Sequence, residues 1–498
     1  MQTLQLSSTT RAKIPKLIFK LCSMLNAATG GKSFLVGGAV VDLLQLKTPK
    51  DWDIEVYGAS YEQIVNICQE YKPKTVGKAF GIVKLSATLC DDLDIDINVP
   101  RRENAYGTRH KDFDCELDPS MTPKEAAMRR DFTINSMYLD PLTMQVTDHF
   151  GGVHHLYNGV LCATNHTTFK QDPLRPLRAM QLIARKATTI DPTTMHTIKS
   201  MVDTFDSLSK ERIYEEYKKL ILLGTEPSRG LRFLLESGYI KHFPELQALV
   251  NCGQHPDWHP EGDVFEHTCH VVDSVAYARD HVPSDWREAF AFGAMLHDVG
   301  KPTTTVTPQM IKEEHPMVKK LVQKLNKTPQ ELLWTSIGHD QAGIEPATAF
   351  LTRLTDNKKL IEKASAIVGQ HMQPYNLMQG GAGTSAYRRL HNKLRLDILG
   401  WMSKCDCCGR ETRHIEKGWP YGDPDLEHDV SEQCFAYFGE FGKEPIQKII
   451  QGRDLIAEGV KPGPHMGTAV KAAYEAQLNG LSNKDDLLKV ALQAIVQP

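Results

Sequence analysis

Residues 35–58 read LVGGAVVDLLQLKTPKDWDIEVYG, and this stretch decides how the N-terminal part folds. The apolar run SFLVGG ends in the turn Gly37–Gly38, a helix-like AVVDLLQL follows, and DWDIEVYG then alternates strictly. Strict alternation predicts a strand. Its period of two puts Asp51 and Asp53 on one face and Trp52, Ile54 and Val56 on the opposite, buried face. Two carboxylates held together repel, and a divalent cation relieves the repulsion. Oxygen ligands suit Mg²⁺, which also grips substrate phosphates. A second alternating pair, Asp94 and Asp96 in LDIDINV, would complete a two-metal cluster if its strand lay beside the first. For either pair alone, solvent-facing acids on an edge strand are an equally good reading. The upstream turn adds to the first reading, because glycine lets a backbone approach closely and N–H groups at a helix start can cradle a phosphate. Strand, Gly-Gly, helix and paired Asp in that order suggest phosphate on one side and metal on the other, as phosphoryl transfer requires.

The rest of the chain bounds this reading. Its 498 residues are 41% hydrophobic and 24% charged, which suits two to four domains with sizeable cores. The net charge of −3 provides no global basic field for nucleic acid. The first twenty residues do carry Arg11, Lys13, Lys16 and Lys20 and no acid, as a solvated helix face or a phosphate-contacting patch would. No signal peptide and no membrane span are expected, since no apolar run approaches the ~20 residues that crossing needs. Eleven cysteines without a disulfide-like spacing predict a reduced, cytoplasmic protein. Cys405, Cys407 and Cys408 lack a matching Cys/His set and read as free thiols.

Residues 31–100 read as strands and turns, including GIVKLSA and LDIDINV. From Pro123 the pattern becomes helical, in PKEAAMRRDFTINSMYL, PLRPLRAMQLIARKA and KERIYEEYKKLILL. NCGQHPDWHPEGD marks a boundary near residue 250, and GGAGTS marks a second break near 380. The expected organisation is a basic helical segment at 1–30, a head at 31–155, a helical neck at 156–248, a histidine-bearing helical domain at 249–380 and a helical C-terminal segment at 381–498 that completes it.

Histidines recur at the edges of apolar helices in that downstream part. His267 lies in HPEGDVFEHTCHVVD, His297 and Asp298 in FAFGAMLHDVGKP, His339 in IGHDQAG, His371 in VGQHMQP and Asp406 in SKCDCCGR. A lone helical His is usually structural; several mixed with Asp suit a transition metal with positions left open for water.

The motifs of the first 245 or so residues resemble those of class II tRNA nucleotidyltransferases and bacterial poly(A) polymerases, in the DNA polymerase β superfamily. LVGGAVVDLLQLKTPKDWDIEVYG is similar to their signature, RRDFTINSMYLD to their ribose-recognition motif and QDPLRPLRAMQLIAR to their base-recognition helix; KERIYEEYKKLIL and FPEL keep the same order. The resemblance implies an α+β chain: a polymerase-β-like head with a mixed sheet, an all-helical neck and a helical HD domain. It implies that Gly37 and Gly38 hold the triphosphate, that Asp51 and Asp53 bind catalytic Mg²⁺, and that Asp96, which precedes Arg101, is the third acid. Arg101, Arg129, Arg130 and Asp131 would serve the ribose and phosphates, and Asp172 and Arg175, with Arg178 beside them, the incoming base. Asp172 is also a natural N-cap before Pro173. Val41 stands where the family has an arginine and Gln171 where it has a glutamate; Arg101 or Arg102 is the candidate to compensate.

The histidine run resembles the HD phosphohydrolase domain fused to certain CCA-adding enzymes. That likeness implies His267, His297, Asp298 and Asp406 as core ligands, with His339 and His371 for a second metal, of the Ni, Mn, Co, Fe or Zn kind. The implied partners are tRNA, CTP and ATP. The implied chemistry is addition or repair of the 3′-terminal CCA, plus hydrolysis of phosphomonoesters or 2′,3′-cyclic phosphates. An A-adding, CC-adding or poly(A) enzyme is the alternative within transferases. A phosphohydrolase with a nucleotide- or RNA-binding head is the alternative outside them.

Overall fold

The computed structural model describes residues 2–77, 81–105, 113–410 and 429–496. The chain divides into two compact units, 1–220 with 229–242, and 221–228 with 243–498.

Ten strands of the first unit matter here: β1 (Gln2–Gln5), β2 (Lys32–Val36), β3 (Asp51–Tyr57), β4 (Lys74–Gly77), β5 (Ile82–Lys84), β6 (Asp94–Asn98), β7 (Arg101–Ala105), β8 (Phe113–Leu117), β9 (Tyr138–Asp140) and β10 (Gln145–Asp148). Eight of them form one mixed sheet in the order β1-β10-β9-β2-β3-β6-β5-β4, while β7 and β8 pair apart as a ribbon. The acid-bearing β3 and β6 lie side by side in the middle, so the edge-strand reading of these carboxylates is overturned. They run parallel, with Asp51 opposite Asp94 and Asp53 opposite Asp96. Trp52, Ile54 and Val56 are buried on the other face, as their alternation predicts.

Two local expectations fail. The N-terminal segment is not helical throughout: Gln2–Gln5 is a strand, paired antiparallel with β10 (Leu4 opposite Val146), and the helix proper is Lys16–Thr29, ended by Gly30 in the left-handed region. The helical spacing from Pro123 lasts only to Met128, where a Thr122/Glu125 capping box starts a short helix; RRDFTIN then turns, and Tyr138–Asp140 joins the sheet. In the neck, Arg175–Ile183 and Lys210–Leu223 are helices as read.

The second unit is helical among the described residues. Helices Val264–Ala278, Ser284–Leu296, Lys358–Gln370 and Leu396–Gly409 surround its centre, with Phe290, Phe292, Ile367, Val368 and Leu399 buried between them. The break near residue 380 is a turn between helices Gln373–Gln379 and Thr384–Lys393, inside this unit. Gly300 is required by packing: a Cβ there would stand 2.1 Å from the carbonyl oxygen of His339. Any larger residue would push the His297–Asp298 turn away from His339.

Candidate active site and candidate metal centre

The site in the first unit is built on adjacent strands. Because β3 and β6 are parallel and in register, Asp53 and Asp96 emerge together, with Asp51 one pleat away. Burial raises the Asp53 carboxyl above the ordinary carboxylate range, with Asp96 and Asp51 adding to the rise against Arg130 and Asn98. Burial also raises Asp96, opposed chiefly by Lys84. Lys84 Nζ lies 2.7 Å from Asp94 Oδ1 and 3.7 Å from Asp96 Oδ1. Asp94 is thus engaged by a lysine, whereas Asp96 Oδ1 is buried with no hydrogen-bond partner among the described residues. A buried carboxylate oxygen without a donor is costly, and a divalent cation satisfies it without one. The donor set of Asp51, Asp53 and Asp96 is all oxygen, which fits Mg²⁺.

Gly37, at φ 64°, precedes the helix Gly38–Leu44. A Cβ on Gly37 would lie 3.5 Å from Asp53 Oδ2 and 3.7 Å from Arg130 Nη1, so the turn brings backbone, acid and guanidinium to one spot. Val41 is buried in that helix. Arg102 donates to Asp118 at 2.7 Å, and Arg101 opens the separate ribbon β7–β8.

The other implied nucleotide residues form a linked set. Asp131 is buried and accepts from the Phe132 N–H at 2.7 Å and from Arg178 at 2.6 Å. Burial would raise its pKa, but Arg178, Asn135 and Arg175 overcome that and lower it. Asp172 is not the N-cap expected of it: the helix begins at Arg175 with Leu174 as N-cap, and Asp172, two residues before that, accepts from the Leu174 N–H at 3.1 Å and from Arg212 at 3.1 Å. Arg175 is buried, with Nη1 donating to the carbonyl of Thr168 at 2.8 Å and Nη2 to that of Arg129. Glu55 and Arg212 escaped the sequence reading, although Glu55 follows Asp51 and Asp53 at the same period of two.

The second unit brings all six of its candidate residues together. Asp298 Oδ2 is 3.2 Å from His297 Nε2 and 3.8 Å from His267 Nε2, and Asp298 Oδ1 is 3.2 Å from His339 Nε2. Asp406 Oδ1 is 3.0 Å from His267 Nε2 and 3.9 Å from His297 Nε2. His339 and His371 approach Nε2 to Nε2 at 3.1 Å.

The outer nitrogens explain the inner ones. Nδ1 of His297, His339 and His371 donates to the carbonyls of Ala294, Ser336 and Val368, at 2.8, 2.7 and 2.7 Å. Nδ1 of His267 donates to Glu261 Oε1 at 2.7 Å. A neutral imidazole with its proton on Nδ1 presents a lone pair at Nε2, so in their neutral form the four histidines would aim four lone pairs at two carboxylates. Lone pairs 3.1 Å apart repel, and His297 Nε2 is buried without a hydrogen-bond partner among the described residues. Cations resolve both conflicts, and the His/Asp donor set suits a divalent transition metal. Without an ion, a proton holds the place of the cation at His267: burial would lower it, yet Asp406 and Glu261 raise it to about 9, so a metal bound there would displace the Nε2 proton. Burial would raise Asp298, yet His297 and Lys301 hold it well below the carboxylate range.

Three residues here were missed. Glu261 also accepts from His259 at 2.8 Å, and Lys301 Nζ lies 2.8 Å from Asp298 Oδ2. The signals were HPEGD six residues before His267 and a lysine one turn after Asp298. A cavity of about 380 Å³ opens on Asp298, His339 and Asp406, with Lys301 and Arg410 in its wall and Trp258 and Trp334 at its side.

The chain is similar to known proteins. The profile described as the poly A polymerase head domain matches residues 33–162, and one described as a probable RNA and SrmB-binding site of polymerase A matches 188–249. A multifunctional CCA protein of Xanthomonas campestris pv. campestris is 30% identical over 461 residues, covering 90% of this chain and 98% of its own. One from Neisseria meningitidis is 30% identical over 344 residues, covering 68% and 72%. Among solved structures, a CCA-adding enzyme in an apo form aligns with a TM-score of 0.63 at 18% identity, over 99% of this chain and 100% of its own. The Thermotoga maritima CCA-adding enzyme complexed with tRNA-CCA aligns with a TM-score of 0.58 at 18% identity, over 99% and 100%.

Proposed function

The chain belongs to the family of the multifunctional CCA proteins, class II CCA-adding tRNA nucleotidyltransferases, and on that premise we propose that it builds or repairs the 3′-terminal CCA of tRNA from CTP and ATP. The observation that carries the chemistry is the register of β3 and β6, which sets Asp53 beside Asp96 within reach of the Gly37 turn. Asp51, Asp53 and Asp96 hold Mg²⁺. That ion supplies charge neutralisation at the triphosphate and a more acidic RNA 3′-hydroxyl. Arg130 and the backbone at Gly37–Gly38 hold the phosphates in line. The 3′-oxygen forms a bond to the α-phosphorus while the bond to pyrophosphate breaks. Asp131, with Arg129 near it, orders the ribose site through Arg178.

Asp172 and Arg175 read the edge of C or A, a carboxylate and a guanidinium supplying acceptors and donors. Arg175 holds two backbone carbonyls, so reading a base requires it to exchange one of them. The test is incubation with each labelled NTP and tRNAs ending before the first C, after one C and after both. CMP incorporation on the first two and AMP on the third is expected. Efficient GTP or UTP use overturns the proposal, and AMP addition regardless of the end overturns it in favour of an A-adding or poly(A) enzyme.

The four inward Nε2 atoms favour a second activity, that of an HD-type phosphohydrolase. Asp298 stands between two candidate ligand sets, His267, His297 and Asp406 on one side and His339 and His371 on the other, and these residues would hold a transition metal, which would supply Lewis-acid activation of water for hydrolysis of a phosphoester. Lys301 and Arg410 in the cavity wall favour an anionic ester, and terminal phosphates or 2′,3′-cyclic phosphates of RNA fit that chemistry. Metal analysis of the purified protein and hydrolysis of a 2′,3′-cyclic nucleotide test it; no bound metal and no turnover reject it. Among the described residues no helix is long and apolar enough to cross a membrane, and with tRNA as substrate we place the protein in the cytoplasm.

A further inference from the structure

Beneath the proposed phosphate site lies a buried charge pair that neither the metal nor the base requires. Glu55 sits on β3 two residues after Asp53, on the same face by the period of the strand. Its side chain is 9% exposed. Such a carboxylate must be fully partnered, and this one is. Oε2 accepts from Arg130 Nη2 at 2.6 Å, and Oε1 accepts from the Tyr138 hydroxyl at 3.1 Å and from the Tyr57 hydroxyl. The two hydroxyls also lie 3.1 Å apart. The Arg130 guanidinium stands 5.8 Å over the Tyr138 ring.

One end of the Arg130 fork is therefore fastened to Glu55. The other end, Nη1, faces the Gly37 turn, where it and Asp53 Oδ2 both lie within 4 Å of where a Cβ would be. Arg130 and Asp53 attract each other, so a guanidinium freed from Glu55 falls onto the metal acid. Glu55 prevents this by holding the cation from below, with its charge compensated and its Nη1 side turned to the site. Val41 contributes no cation on the helix after the turn, and among the described residues Arg130 is the cation whose nitrogen lies within 4 Å of a Gly37 Cβ.

Resting on the nucleotidyl-transfer reading above, we infer that Glu55 is a positioning residue for the nucleoside triphosphate: it holds Arg130 to the polyphosphate and keeps it off the metal carboxylate Asp53. The two tyrosine hydroxyls fix the carboxylate that does so. Glu55 touches neither substrate nor metal.

The test is Glu55→Gln in the full-length protein, assayed for CMP and AMP addition over a range of NTP and Mg²⁺ concentrations. Loss of a hydrogen bond between charged groups corresponds to a rise in KM for both nucleotides of roughly tenfold. The Mg²⁺ concentration for half-maximal rate rises as well, because Arg130 now competes for Asp53, while kcat at saturating Mg²⁺ and NTP changes little. In an Arg130→Met background Glu55→Gln adds nothing further. If Glu55→Gln does not fold, Glu55→Asp keeps the charge but shortens the reach, and the same KM and Mg²⁺ shifts are expected from it. Unchanged KM and Mg²⁺ requirement in a folded variant overturn the inference, as does a fall in kcat and melting temperature with no change in KM. A wild-type protein that adds no nucleotide to tRNA overturns the proposed function itself, whereas wild-type activity with unchanged variant kinetics overturns only the role of Glu55.

Discussion

The two acidic centres of this chain treat their charges in opposite ways. In the strand site, burial raises Asp53 and Asp96, and the cations nearby are a half-exposed lysine and an arginine committed to Glu55. In the helical centre, Asp298 and Asp406 are held well below the ordinary range despite deeper burial, by imidazoles, Lys301 and Arg410. The first arrangement is short of positive charge until a metal and its nucleotide arrive together. The second is wired in advance, each histidine locked through Nδ1 so that Nε2 faces inward. On the proposed readings, the difference teaches that a site for an exchanging ion would leave its acids under-compensated, whereas a site for a resident ion would invest in the partners of its ligands.

The sharpest way to break the comparison is Asp53→Asn, expected to lower nucleotide addition by roughly a thousandfold or more, measured as single-turnover CMP transfer, with the transition-metal content of the protein unchanged. Substantial residual transfer would show that these acids do not hold the reacting metal. Next in size is Glu261→Gln, which removes the carboxylate behind His267 and is expected to weaken metal retention about 10- to 100-fold, read by chelator competition. Equal retention in wild type and variant would mean that His267 is not a ligand.

Chelator-treated protein offers a third test. Glu261 is held down to about 2: burial opposes this, but hydrogen bonds from His259 and His267 win. A depressed carboxylate contributes stability that is present above its unfolded value near 4.5 and lost as pH falls toward 2. The contribution is on the order of 3 kcal/mol, and Glu261→Gln should flatten the acid side of a chemical-denaturation profile of that unit. A profile equally steep in both proteins would deny Glu261 this role. The smallest effect belongs to Lys84→Ala. A half-exposed ion pair is worth about 1 kcal/mol or less, so the Mg²⁺ requirement should move by roughly two- to fivefold, downward, because a competing cation has gone. An upward shift would mean that Lys84 helps to hold the nucleotide instead.

Much of both centres was legible in the residues because strand and helix periods are local. Alternation in DWDIEVYG is enough to put Asp51, Asp53 and Glu55 on one face. The strand Gln2–Gln5 was not legible: QTLQ has little apolar pattern, and its partner β10 is some 140 residues further along the chain. RRDFTIN keeps the apolar spacing of a helix, yet the helix stops at Met128 and Asp131 is drawn into backbone and arginine contacts instead.

Sequence alone determined which side chains were available: the paired acids, the Gly-Gly turn before them, and histidines with aspartates at the ends of apolar helices. Tertiary structure alone decided that Asp53 lies opposite Asp96, that Glu55 rather than solvent receives Arg130, that Arg175 holds two carbonyls, and that Asp298 stands between two sets of imidazoles. The physical reason is range. Backbone periodicity fixes a side chain's direction within its own element, whereas register between strands and the meeting of helix ends depend on how cores pack across tens to hundreds of residues.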